Sequence, residues 1–340
     1  MKYFLLYMVF LFACQSPQKR PSVLITLQTS GVMASLRGLA VVDENIAWAS
    51  GSGGSVLRTV DGGTFWQNVS PTAADSLDFR DIEAFSATEA LVLTAGYPGL
   101  VVKTTDGGQS WQVVYADDRP QIFFDAMDFW DTTSGIAFGD ALDGRVVIIT
   151  THDGGNSWQQ QQGPEALPGE GGYAASGTCI TTGGNHRVWL AMGTPRSRIL
   201  FSADRGKTWQ AYPTPMAREV AGGGIFSLAF SDTGYGLAVG GNYTRPNDTT
   251  KVIALTKDAG KSWDLLPDSG LNGYKSAIAH IPGGENWLAA GPTGVGLSTD
   301  NGLTWTTVDT TGYHTVALAN RHTGWLTGAQ GKIAKLAVRY

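Results

Sequence analysis

Residues 57–66 read LRTVDGGTFW, and the same frame returns as VKTTDGGQSW at 102–111, ITTHDGGNSW at 149–158, LFSADRGKTW at 200–209, ALTKDAGKSW at 254–263 and GLSTDNGLTW at 296–305. The shared aspartates are Asp61, Asp106, Asp153, Asp204, Asp258 and Asp300, spaced by 45, 47, 51, 54 and 42 residues. Each frame has a mechanical reading. An aspartate carboxylate accepts hydrogen bonds from the backbone of the turn that follows it, and glycine supplies the positive φ that such a turn needs. The closing tryptophan then packs its large apolar ring between neighbouring sheets.

Upstream of every frame lies an apolar strand that ends in glycine: IAWASG at 46–51, ALVLTAG at 90–96, GIAFG at 135–139, VWLAMG at 188–193, YGLAVG at 235–240 and NWLAAG at 286–291. A seventh copy, GWLTGAQGKIAKLAV at 324–338, has no aspartate frame after it. A repeat of roughly 40–50 residues with β-type sequence inside it is the signature of propeller blades. The expected fold is therefore all-β, a seven-bladed β-propeller with six aspartate hairpins. Its last blade lacks an outer strand, and the alternating segment Val23–Thr29 has no other place. Pairing that segment with the C-terminal strand closes the ring and removes exposed sheet edges.

The aspartate frames resemble the Asp-box, the S/T-x-D-x-G-x-T/S-W element of sialidases, sortilin-type receptors and other propellers. That resemblance implies a structural role, on the face opposite the ligand site. Composition agrees with the architecture: 45 glycines, 11 tryptophans and only 16% charged residues suit many short strands rather than helices. The net charge of −5 and the absence of a basic run argue against nucleic acid as a partner.

The first residues, MKYFLLYMVFLFAC, carry one lysine and an apolar run too short to span a bilayer. They read as a secretory signal over residues 1–13, and the end of the run resembles a bacterial lipobox with Cys14 as the acylated residue. Residues 14–22 follow as a polar tether, and residues 23–340 as one propeller. Lipid on Cys14 would anchor the protein. Gln15 is not the aspartate associated with inner-membrane retention, so the expected placement is the outer membrane, facing the periplasm. Cys179, in the apolar stretch SGTCI, then has no disulfide partner and reads as a small core residue.

With the boxes on one face, the starts of the innermost strands define the other. Aligning LRGLAVVD, FRDIEAFS, FFDAMDFW, ASGTCITT, IFSLAFSD, YKSAIAHI and YHTVALAN puts Arg37, Arg80, Phe124, Ser176, Phe226, Lys275 and His314 at one radius, with Asp81 and Asp125 one residue behind. Arg145, Arg196, Arg198 and Arg245 follow the shared glycines of blades three to five and would border the same mouth. Cations converging on a concave surface concentrate an anionic partner. The alternative is that Arg80 pairs with Asp81 or Asp125 and that the other cations are solvated. His152, His186, His280, His314 and His322 show no metal-ligand spacing, no phosphate loop occurs, and Asp140-Ala-Leu-Asp143-Gly lacks the remaining ligands of a calcium loop, so no cofactor or metal is expected.

Blade one, LRGLAVVDENIAWASGSGGSVLRTVDGGTFW, resembles the photosystem II stability and assembly factor family, whose blades read R-G-[LI]-x-F-x-D, then a W-x-x-G strand, then the aspartate frame. The likeness runs from about Val23 to Val338. It implies a seven-bladed scaffold that holds a partner polypeptide on an arginine-rich face without chemistry, with Arg37 and Arg80 at the repeat-start arginine position. The expected function is thus a non-catalytic, monomeric assembly or stability factor for an envelope protein or peptide. A sialidase-like glycoside hydrolase is the rival. Arg37, Arg80 and one of Arg196 or Arg245 would form its arginine triad, with Asp81 as the acid, although the F/Y-R-I-P segment is missing and Phe79-Arg80-Asp81-Ile82 lacks the proline. Glycan binding without cleavage would use Tyr97, Phe124, Phe226, Tyr243 and Tyr313, stacked on sugar rings.

Overall fold

A computed structural model describes residues 21–216, 222–231 and 233–340. The signal segment, Cys14 and most of the tether lie outside the described residues. Among the described residues there is no helix, and strands assemble into seven four-stranded antiparallel sheets. Blades one to six each use consecutive strands, starting at Leu36–Val41, Phe79–Ala84, Phe124–Phe129, Ile180–Gly183, Gly223–Phe230 and Ala277–His280. Blade seven contains Thr315–Leu318, Thr323–Thr327 and Ile333–Arg339, and its outer strand is Ser22–Gln28. That N-terminal strand pairs antiparallel with the C-terminal one from Ser22 opposite Arg339 to Gln28 opposite Ile333, so the ring closes as the sequence pattern requires.

Burial follows position in the blade. Second strands such as Ala47–Gly51, Ala90–Thr94 and Trp287–Gly291 are buried at every residue, because both faces meet a neighbouring blade. Outer strands such as Gln67–Asn68 and Gln159–Gln161 are exposed throughout and carry glutamine and asparagine. Trp48, Trp189, Trp287 and Trp325 are among the largest fully buried side chains. Each such ring removes some 150–250 Å² from water, roughly 4–6 kcal/mol by area. Two of the indoles also bridge blades: Trp48 Nε1 donates to Ser86 O at 3.0 Å and Trp189 Nε1 to Ala259 O at 2.8 Å.

The aspartate hairpins share a two-part lock. In the first, Thr59 Oγ1 donates to Asp61 Oδ1 (2.9 Å) and accepts from Gly63 N (2.8 Å), while Asp61 Oδ1 accepts from Phe65 N (3.0 Å). The hydroxyl two residues before the aspartate is thus a working part of the motif, repeated by Thr104, Thr151, Ser202, Thr256 and Ser298. In the second box the Ser110 hydroxyl, with the Ser110 N–H, holds the Asp106 carboxyl down at about 2. Gly63 is constrained twice. Its φ is +84°, and a Cβ there would lie 2.2 Å from the Gln28 amide, at the closing seam.

Candidate functional site

Each innermost strand starts at the end of the wheel opposite the aspartate hairpins, because those hairpins join the third and fourth strands of an antiparallel sheet. Bulges fix the register at that end. Blades one, two, three and five skip one residue between Leu36 and Gly38, Phe79 and Asp81, Phe124 and Ala126, and Ile225 and Ser227. The bulged residues are Arg37, Arg80, Asp125 and Phe226. In blade three the station of the arginines is therefore held by Asp125, and Phe124 falls one step away, where it is buried.

Blade six is shifted in the same way. The backbone N–H groups of Leu36, Lys275 and Tyr313 donate to the carbonyls of Gly328, Gly240 and Gly291 at 3.0, 3.0 and 3.1 Å, so Lys275 corresponds to Leu36 and not to Arg37. Its side chain turns into the protein and is fully buried. Nζ donates to Asn272 O (2.7 Å), Asn272 Oδ1 (2.9 Å) and Thr293 Oγ1 (2.5 Å), and burial pulls the amine down to about 7.

The largest departure from the sequence reading lies in blade four. Its first strand begins only at Ile180, and the preceding residues, GGYAASGT at 171–178, run across the centre of the wheel. Arg37 Nη1 donates to Ala175 O (3.1 Å) and Arg80 Nη1 to Ala174 O (3.5 Å). Asp125 Oδ2 accepts from Gly172 N (3.2 Å). Ser176 Oγ donates to Ser276 O (2.6 Å), Thr315 Oγ1 donates to Ser176 O (3.2 Å), and the Thr178 and Ser227 hydroxyls pair at 2.6 Å. Every other blade thus bonds this plug. Gly177 fits because it lacks a side chain: φ is +74°, and a Cβ would stand 2.1 Å from Asp81 Oδ1. Ser176 is a plug residue and not a strand residue.

Above the plug sits a cavity of about 470 Å³. Arg37, Arg80 and His314 form one side, Tyr173, Phe226, Tyr243, Tyr274 and Pro292 the other, and Ala174 and Ala175 the floor. The arginines do not pair with Asp81 or Asp125. Arg80 Nε donates to Asp78 Oδ2 at 2.7 Å, and Arg37 has a neutral carbonyl as its acceptor. Burial, then the charge of Arg80, lowers the affinity of Arg37 for its proton. Its guanidinium nonetheless stays charged at neutral pH. His314 stands 3.1 Å from Ser35 Oγ, and burial followed by Arg37 pulls it down to about 3, so it is neutral here.

Asp81 and Asp125 are interior groups. Asp81 accepts from Ile82 N (2.9 Å) and Met127 N (2.6 Å), tying blade two to blade three, while burial pushes it up to about 8. Ser227 does the same between blades five and six by accepting from Ile278 N at 3.0 Å. Burial and neighbouring Asp140 push Asp125 well above the usual carboxylate range.

The remaining cations do not line the cavity. Arg198 is paired with Glu170 and donates to Glu165 O at 3.0 Å, and Arg145 donates to Gly163 O at 2.8 Å. Both line a groove between blades three and four, while Arg196 lines another with Leu167 and Pro213. Arg245 is exposed, two residues beyond Tyr243. The arginine triad of the hydrolase reading is therefore not assembled: Arg196 and Arg245 stand outside the cavity, and none of the cavity residues is an acid or an amide. Of the aromatics read as sugar platforms, Phe226 and Tyr243 line the cavity, Phe124 and Tyr313 are buried, and Tyr97 is exposed elsewhere. Cys179 is buried and free, as its apolar surroundings imply. Among the described residues no group of three or more potential ligands is placed to hold a metal ion.

Fold and site together define a seven-bladed Asp-box β-propeller with a plugged centre and a cationic and aromatic cavity above the plug. Residues 19–121 match the family model described as photosynthesis system II assembly factor YCF48. Over that first third the chain is similar to the photosystem II assembly factor family, as blade one suggests. Among solved structures, "YCF48 from Cyanidioschyzon merolae" is 17% identical with a TM-score of 0.69, over 92% of this chain and 98% of that one. "YCF48 bound to D1 peptide" is 16% identical with a TM-score of 0.67, over 95% and 96%. The WD40 propeller of Doa1 aligns at 12% identity and a TM-score of 0.63, over 92% and 96%. No curated protein matches the chain.

Proposed function

We propose that this protein is a non-catalytic scaffold, an assembly or stability factor that holds a partner polypeptide on the face carrying Arg37 and Arg80. One observation carries the reading: two guanidiniums converge on a floored cavity that has no carboxylate in its lining, Arg37 resting on a neutral carbonyl and Arg80 held through Nε by Asp78 beside the cavity. A partner carboxylate entering there gains charge-assisted hydrogen bonds in a partly dehydrated setting. The YCF48 structure solved with a D1 peptide supports a polypeptide as the ligand class. The signal-like residues 1–13 and Cys14 support an exported, lipid-anchored protein of the bacterial envelope, and Gln15 supports the outer membrane; in this reading the protein faces the periplasm and works as a monomer on an envelope protein or peptide.

Crosslinking in the native envelope, followed by identification of captured polypeptides, tests this reading. Arg80→Glu combined with Arg37→Gln removes the cationic half; a still cooperative thermal melt, lowered through the lost bonds to Ala175 and Asp78, together with loss of the captured partner is the expected result. Unchanged capture by the folded double variant refutes it.

A further inference from the structure

The second half of the cavity is aromatic, and the cationic half does not explain it. Tyr173 and Phe226 stack in parallel, with ring centroids 3.8 Å apart and planes at 1°. Tyr243 stands edge-on to both at 6.4 Å, and Tyr274 meets Phe226 edge-on at 4.6 Å. The stack depends on the plug: Tyr173 belongs to it, and its hydroxyl is fixed by donating to Gly223 O at 3.1 Å. Phe226 and Tyr274 are almost wholly buried, yet Tyr243 leaves 55% of its surface in water beside the opening. Tyrosine and arginine are the side chains that dominate binding hot spots, and a partner covering Tyr243 would bury its exposed ring against an already ordered cluster.

We infer that the cavity reads two features of its partner at once: a carboxylate on Arg37 and Arg80, and an aromatic side chain on the shelf formed by Tyr173, Phe226 and Tyr243. The inference rests on the polypeptide-scaffold reading and adds a specificity to it. Size sets the spacing between the two features. A cavity of about 470 Å³ is roughly 8–10 Å across, the reach of neighbouring residues in a turn or of alternate residues in an extended chain, which rises about 3.3 Å per residue and puts alternate side chains on one face. The ligand is therefore a peptide with an aromatic residue within two positions of a carboxylate, supplied by a side chain or by the chain terminus. Sugar fits less well. Its hydroxyls require several side-chain acceptors and donors, whereas no acid or amide lines the cavity and the Tyr173 hydroxyl is already engaged.

The test is fluorescence anisotropy of labelled hexapeptides on the purified mature protein. One probe has capped ends and carries Glu-Phe, a second replaces Phe by Ala, a third replaces Glu by Gln, and a fourth ends in Phe with a free carboxylate. The Glu-Phe probe is expected to bind at least tenfold more tightly than Glu-Ala, since a ring packed on aromatic neighbours contributes on the order of 1.4 kcal/mol. Tyr243→Ala should bring Glu-Phe down to the Glu-Ala level and leave Glu-Ala unchanged, and Tyr243→Phe should restore it. Comparison of the first and fourth probes, which share Phe, shows which carboxylate is read. Equal binding of Glu-Phe and Glu-Ala, both lost in Arg80→Gln, overturns the shelf and leaves the scaffold reading intact. Glu-Phe binding that is indifferent to Arg80→Gln overturns the scaffold reading itself. Binding of sialyllactose, lost in Tyr243→Ala, overturns the aromatic-peptide specificity in favour of a glycan.

Discussion

Arg37 and Ala175 meet across the centre of the wheel: the guanidinium Nη1 of blade one donates to the backbone carbonyl of the blade-four plug at 3.1 Å, over 138 residues of sequence. The cation that marks the proposed binding face therefore also fastens the floor of the cavity. Proposed recognition and closure of the channel share one side chain.

That double role predicts how Arg37→Ala fails. The Ala175 carbonyl loses its charged donor, a change worth on the order of 1–3 kcal/mol. Chemical denaturation should show a loss in that range. Amide exchange should quicken at residues 173–178 before it does in the blades, and Arg80→Ala, whose bond to Ala174 O is the longer at 3.5 Å, should cost less.

Gln28 locks the seam where the chain ends meet. Its Oε1 accepts from Trp66 Nε1 at 3.0 Å and Trp325 Nε1 at 3.1 Å, and its amide donates to Gly62 O at 3.3 Å. Gln28→Leu leaves two buried indole N–H groups without an acceptor, at about 1–3 kcal/mol each. A drop in thermal midpoint with a greater tendency to aggregate is expected, because a loosened outer strand uncovers the edge of Ile333–Arg339. A melt indistinguishable from wild type would show that the closing strand contributes little.

The buried carboxyls make stability fall as the pH rises. For Asp81 the folded value, about 8, lies above the unfolded one, chiefly through burial. Between roughly pH 4 and 8 the native state therefore holds the extra proton, and stability declines across that window as pH rises. Asp81→Ser copies the arrangement of Ser227, whose hydroxyl accepts the corresponding N–H. Its stability curve over pH 5–8 should lose up to one proton of slope relative to wild type, with the remainder owed to Glu83, Asp125 and Asp128.

Lys275 works in the opposite sense. Its folded value of about 7 lies below the unfolded one because burial disfavours the charge, so the unfolded chain binds the extra proton above pH 7 and stability rises towards pH 10. Lys275→Met should flatten that alkaline rise while leaving partner capture unchanged. Loss of capture in a folded Lys275→Met protein would put this residue back on the binding face.

What the sequence determined was set by local repetition. Each aspartate frame closes its own turn through hydrogen bonds no more than four residues apart, so six copies declare six hairpins without reference to the rest of the chain. Alternation in the N-terminal segment, with no partner nearby, sufficed to assign it to the open seventh blade. Arg37 and Arg80 could be placed for the same reason, since their blades keep the repeat. Tertiary structure alone decided what replaced the repeat. A bulge displaces one residue without leaving a mark in composition, and the adjacent Phe123 and Phe124 hid it in blade three. The plug left only the longer spacing from Asp153 to Asp204 and the Gly- and Ala-rich stretch before Cys179. Its conformation is held by donors and acceptors on six other blades, and such a set of distant partners exists only after the wheel has closed.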